Sequence, residues 1–163
     1  MNKTEITLAL AFTATYFIEY SKLEGQREGY HYYFKSLSGL IDANFKEHKL
    51  FTLQRGTVAI LIMLGLISLW LFKVIPAIIA LSFFAALWMH FPFIHDYNYY
   101  QTRNKLTPGV YPYGVNSQSK DSQSVIDHAQ IGKKNISTPG TRLVLFIAGQ
   151  VIILIDLIYI ILK

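Results

Sequence analysis

The chain has 163 residues, a formal net charge of +5 and no cysteine; 52% of its residues are hydrophobic and only 15% are charged. A soluble domain carries about 25% charged residues, and the apolar residues here come in long blocks, which excludes a disordered chain and argues against a water-soluble globule. The missing cysteines exclude disulfides, thiolate metal sites and cysteine nucleophiles.

The first block, residues 6–18, is uncharged and lies between Glu5 and Glu19. Glu5 spoils the positive start of a signal peptide and no small-residue cleavage site follows, so a short span over residues 5–20 is expected, with an interfacial helix or an uncleaved signal anchor as the alternative. Continuing that helix to Phe34 aligns Ala11, Ala14, Ser21, Gly25 and Gly29 near one stripe, which lets another helix approach closely. A turn is expected over residues 36–39, after which Asp42 or Asn44 caps a helix that runs through Lys49 and Arg55 into the second span, residues 56–73. Residues 21–55 should then project from the membrane as one helical hairpin.

The connection Lys73-Val74-Ile75-Pro76 is very short, so the third span, residues 75–94, returns at once; Pro76 suits the first turn of its helix. Pro92 is expected to end or kink that helix and to leave His95 and Asp96 on irregular backbone. Residues 96–141 hold the turn sequences Leu106-Thr107-Pro108-Gly109 and Tyr111-Pro112-Tyr113-Gly114 and a polar stretch over 116–124, so little regular structure is expected there. The last span, residues 142–162, is interrupted only by Asp156. This carboxylate is expected either to face the bundle, bonded to Ser68, Thr7 or Gln150, or to reach the outer headgroups.

Lysine and arginine counts set the orientation. Residues 20–56 carry six and residues 96–142 carry six, against Lys3, Lys73 and Lys163 on the other side of a four-span bundle. Both long connections are therefore expected to be cytoplasmic and both termini outside, in a single polytopic membrane domain over residues 1–163. The net charge reads as topology and affinity for anionic lipid, with membrane lipid as a partner and no nucleic acid. Ten of the eleven tyrosines fall toward the cytoplasmic half, as an interfacial belt would place them; a tyrosine-lined groove for a lipid headgroup is the sharper reading.

One constellation stands out. Counted from Lys3 and Lys73 at about 1.5 Å per residue, Glu28, His31, His48 and His95 all lie about 33 to 42 Å from the outer face. Glu24, Glu28 and His31 share a helix face, and Glu28 with His31 has the E-x-x-H spacing of helical carboxylate-bridged metal sites. Asn44, His48, Thr52 and Arg55 form a stripe on the next helix, and His90 with His95 has H-x-x-x-x-H spacing. The candidate metal ligands are Glu24, Glu28, His31, His48, His95 and Asp96; nitrogen and oxygen donors without sulfur suit zinc, iron or manganese. The ordinary alternative is a set of solvated interface residues. Asp156, Glu19 and Arg55 are the candidate intramembrane polar residues, Arg55 also serving as a boundary marker.

No phosphate-binding glycine loop, G-x-S-x-G elbow, H-E-x-x-H pair or aspartate-rich diphosphate motif is present. The expected object is an all-α, four-helix membrane protein. Its leading role is a non-catalytic subunit or scaffold that assembles, with copies of itself or another membrane protein, through its helices and tyrosine-rich cytoplasmic face. A metal-dependent enzyme acting on lipid at the inner interface is the alternative. A holin-like pore is the third reading, for which only Thr4, Thr7, Thr15 and Glu19 hint at a polar face.

Overall fold

The computed structural model describes residues 2–38, 44–108, 130–131, 134–135 and 138–163; the side chains of residues 32, 34–38, 44–50, 130–131 and 134–135 lie outside that description. Among the described residues four helices carry the fold: α1 (Lys3–Ser38), α2 (Asn44–Leu71), α3 (Ala77–Leu106) and α4 (Pro139–Leu162). Between α3 and α4, β1 (Gln130–Ile131) and β2 (Lys134–Asn135) form a two-residue antiparallel pair, a small piece of regular structure in a connection expected to have little. Three helical segments are long and apolar enough to cross a membrane among the described residues: Phe51–Leu71, Ala77–Leu106 and Pro139–Leu162. The chain is thus a helical bundle of multi-pass membrane type. Helix α1, interrupted by Glu5 and Glu19, is not in that set.

Local chemistry explains where the helices start and turn. At the start of α1 the Asn2 side chain accepts from the Glu5 amide at 2.8 Å while the Glu5 carboxylate accepts from the Asn2 amide at 2.9 Å, a reciprocal capping box. Helix α2 stops at a tight reversal in which Lys73 takes a positive φ of 56°. The Lys73 amide bonds to the Trp70 carbonyl and the Val74 amide to the Leu69 carbonyl, both at 2.8 Å, the two bonds of a Schellman closure. Thr138 caps α4 by accepting from the Thr141 amide at 3.2 Å, with Pro139 in the first turn.

Helix α3 is the centre of the bundle. It runs unbroken through Pro92 to Leu106, so the expected break, and the loop beginning at residue 96, are corrected. Pro92 removes one backbone donor, but the helix on both sides is pinned by packing, since Phe91, Ile94 and His95 are all buried; neighbouring helices commonly hold proline inside membrane helices. Helix α1 lies parallel to α3: Phe17 meets Trp88 and Phe91, and Gly25 meets His95. Helix α4 lies antiparallel on another side, with Gly149 against Ala86 and His90 and Asp156 against Ser82. Among the described residues the core includes Ile6, Leu10, Ala14 and Phe17 of α1, Ile79, Ala80, Phe83, Ala86, Leu87 and Phe91 of α3, and Ile153 and Ile160 of α4, with Leu66 from α2 and Ile75 from the reversal.

Among the described residues α1 and α2 make no close main-chain approach; they meet through side chains, Arg27 against Gln54 and Phe51, and the close main-chain packing of α1 is on α3. The small-residue stripe was read correctly as a surface of close approach, but its occupant is α3 of the same chain. A Cβ on Gly25 would overlap the His95 carbonyl, and one on Gly29 would stand 2.8 Å from Thr102 Cβ.

Outward faces are strongly apolar. Phe12, Leu64 and Leu154 are each more than half exposed, as are Leu61, Ile78 and Ile155. Water would not tolerate so continuous an apolar surface on a small monomer, whereas lipid tails are its natural solvent.

Candidate functional site

One polar layer joins all four helices. Glu24 and Glu28, one turn apart on α1, point inward, with side chains only 2% and 8% exposed. From α2, Arg55 reaches both: its Nε donates to Glu24 Oε1 at 2.7 Å and its guanidinium also pairs with Glu28 Oε1. From α3, His95 places Nε2 3.0 Å from the Arg55 guanidinium and 3.2 Å from Glu28 Oε2. Its Nδ1 lies 2.9 Å from Asp96 Oδ1, and α4 closes the layer with Arg142, paired to Asp96 Oδ2.

The geometry assigns roles to the protons. Asp96 accepts from Nδ1–H of His95, which orients the ring. Nε2 then accepts from Arg55 when the ring is neutral, or donates to Glu28 when it is a cation. The Phe91 ring stacks on His95 at 5.1 Å and lies 5.1 Å beneath the Arg55 guanidinium, so aromatic surface backs both groups. The layer sits about 16 to 25 residues from the far helix ends, or about 24 to 38 Å at 1.5 Å per residue. That is the depth of one edge of a hydrocarbon core roughly 30 Å thick.

Of the residues expected to converge, Glu24, Glu28, His95 and Asp96 do so. His31 lies farther along α1, its ring edge-on to Phe51 at 5.9 Å. The His48 side chain lies outside the described residues; the α2 backbone carries that position two turns beyond Arg55. His90 and His95 do not act as a pair. Because α3 stays helical through Pro92, five residues turn His90 toward α4, where it is fully buried with its ring edge-on to Phe146 at 5.1 Å.

Among the described residues no three His, Asp or Glu side chains are grouped so as to hold a metal ion. The physical reason is Arg55, which stands where a cation would have to sit and takes an oxygen of each α1 carboxylate. A dication would need those same oxygens.

The remaining polar residues have other places. Asp156 is buried, and its partner is Ser82 on α3, whose hydroxyl lies 2.9 Å from both carboxylate oxygens, rather than Ser68, Thr7 or Gln150. Ser68 is exposed and donates back to the Leu64 carbonyl. Glu19 faces outward and pairs with Lys22 at 3.2 Å. Arg55, expected as an intramembrane polar residue or a boundary marker, is the centre of the constellation, and Arg142, whose residue type and position indicate only interfacial positive charge, is a further member. Depth counting applied to cations as well as ligands finds Arg142 too, since it stands at the level of His95 and Arg55. Comparison with protein-family models, with curated proteins and with solved structures finds no match.

Proposed function

We propose that this chain is a four-span membrane protein without catalytic activity of its own, a subunit or scaffold whose inner polar layer fixes the register of its helices. The observation that carries the reading is the capture of acids by arginines: Glu24 and Glu28 by Arg55, Asp96 by Arg142. The side chains best suited to acid–base or metal chemistry are thereby committed to holding four helices at one level. Buried polar groups that set register in helical assemblies have this character.

Support for the fourth span comes from register. Phe17 against Trp88 and Gly25 against His95 place residues 5–20 of α1 beside the apolar stretch of α3. Support for assembly comes from what the chain leaves unused. The small-residue stripe of α1 is occupied by α3, whereas α2, which packs Leu66 and, in part, Val58, Ile62 and Leu69 on the core, presents Ile60, Leu61 and Leu64 outward. A partner helix therefore meets α2. Photo-crosslinking residues at Leu61 and Leu64, with Leu154 on α4 as the control, test this in native membranes. Discrete adducts from the α2 positions alone are expected; adducts from none of them would remove the assembly role.

A metal-dependent site acting on lipid is the second reading, favoured by His95 standing between Glu28 and Asp96. It requires Arg55 to leave, and stoichiometric zinc, iron or manganese in the purified protein would bring it to first place.

A further inference from the structure

We infer that Asp156 and Ser82 form a proton-binding site inside the α3–α4 seam, in which the carboxyl group at 156 holds a proton and donates it to the Ser82 hydroxyl. On α4 the seam runs through Arg142, Gly149 and Asp156, spaced seven residues, or about two turns, apart. Opposite them on α3 stand Asp96, then His90 with Ala86, then Ser82. The first level carries paired charges and the second a glycine contact. The third holds a carboxyl group only 4% exposed. It lies six residues before the end of α4, and so about 9 Å inside it.

Counting hydrogens locates the proton. Ser82 Oγ lies 2.8 Å from the Ile78 carbonyl and 2.9 Å from each oxygen of Asp156, but a hydroxyl has one hydrogen to give. Six other helical hydroxyls show where it goes: Thr7, Thr13, Thr15, Ser21, Thr57 and Ser68 each donate to the carbonyl four residues earlier, at 2.7 to 3.0 Å. Ser82 makes the same contact. Its oxygen is then left as an acceptor, so the Asp156 oxygens can bond to it only if one of them brings a hydrogen. A carboxylate at 156 would also have nothing to hold its charge. The buried acids Glu24, Glu28 and Asp96 each have an arginine, whereas Asp156 has Ser82. Charged groups on the surrounding elements are exposed: Lys3 and Glu5 at the start of α1, Lys73 at the reversal, and Lys163, bonded to Tyr159, at the end of α4. His90, the other buried ionisable group of the seam, is eight residues from Ser82 along α3, about 12 Å. An unpaired charge inside a span is expensive, and the neutral acid avoids that cost. Loss of the proton would place such a charge between α3 and α4, so the site ties this contact to proton binding.

The inference is independent of the assembly role. The parent protein and Asp156→Asn, whose amide keeps a donor for Ser82, are reconstituted in lipid vesicles at neutral pH and compared by infrared difference spectroscopy. The carbonyl stretch of a protonated carboxyl, above the amide I band, is expected in the parent and absent from the variant, and it should move to lower frequency in heavy water. Carbon-13 labelling of the aspartate carboxyls in the unmutated protein should displace the same band, which keeps the assignment independent of how the variant folds. Ser82→Ala should shift the band to higher frequency without removing it, because the acid loses its partner and keeps its proton. An unmoved band in Ser82→Ala overturns the pairing. A parent protein whose aspartates give only carboxylate bands overturns the inference, as does a protonated-carboxyl band that survives Asp156→Asn.

Discussion

Arg55 is a single side chain answering to three others. It satisfies Glu24 and Glu28, faces His95 and lies over Phe91. Removing it would take the shared guanidinium from two buried carboxylates, leaving Glu24 with Arg27 at 3.9 Å and Glu28 with His95 at 3.2 Å; breaking a buried pair costs about 3–5 kcal/mol in protein interiors. Arg55 itself is a quarter exposed, so water relieves part of that cost. Arg55→Ala is expected to destabilise the protein by about 3 kcal/mol in mixed-micelle SDS titration. Arg55→Lys should recover little, because one ammonium cannot reproduce a planar fork that reaches two carboxylates. The triple change Glu24→Gln, Glu28→Gln and Arg55→Met should restore most of the loss, since apolar or neutral replacement of a buried ion-pair cluster is commonly neutral or better. A variant Arg55→Ala within about 0.5 kcal/mol of the parent would mean the layer holds nothing together. The acidic and histidine half of this site was legible because helix rise turns residue number into depth. Its basic half was hidden by a habit of counting: a lone arginine between a polar helix and an apolar run reads equally as a boundary marker and as a buried clamp, and only the third dimension separates the two.

Among the elements, the α1–α3 contact determines whether the bundle exists. Glycine at 25 lets α1 come so close to α3 that a single added Cβ would overlap the His95 carbonyl, and Gly29 meets Thr102 in the same way. Backbone cannot yield as a flexible side chain does, so Gly25→Val is expected to cost about 3 kcal/mol or more and to loosen His95 with it. Gly65, on the outward side of α2, has open space where its Cβ would go; Gly65→Ala should be neutral or stabilising by up to about 1 kcal/mol. The pair of variants, compared in the same SDS titration, separates a packing effect from helix propensity, and equal stability of the two would contradict the close approach. The stripe of small residues was readable at helical spacing, but its partner was not, because a stripe records how close a neighbour comes and not which neighbour. The continuity of α3 through Pro92 was unreadable for a related reason. Proline states a local cost, and the packing that offsets it is supplied by α1, residues distant in sequence.

For the molecule as a whole, the deciding question is whether α1 crosses. By composition it falls short, with Glu5 and Glu19 bracketing a short apolar stretch. It runs parallel to α3 in one continuous contact, from Phe17 beside Trp88 to Gly29 beside Thr102, so on the proposed four-span reading a membrane that contains the apolar part of α3 would also contain residues 5–20. The neighbours explain how a weak segment is held: Ile6, Leu10, Ala14 and Phe17 are buried in the core, and Glu19 turns outward to Lys22. The hydroxyls of Thr7, Thr13 and Thr15 bond back to carbonyls four residues earlier, which leaves no unmet donor on those side chains. Because the chain has no cysteine, single cysteines can map its sides without background. Cysteines at Asn2, Lys73 and Lys163 are expected to react with a membrane-impermeant maleimide from one face, and one at Lys105 only after permeabilisation or from the other face. A cysteine at Asn2 that labels with Lys105 would show three crossings and an interfacial α1. The parallel contact with α3 would then have to form outside the membrane, and the shared level of Glu24, Arg55, His95 and Arg142 would no longer mark a membrane edge.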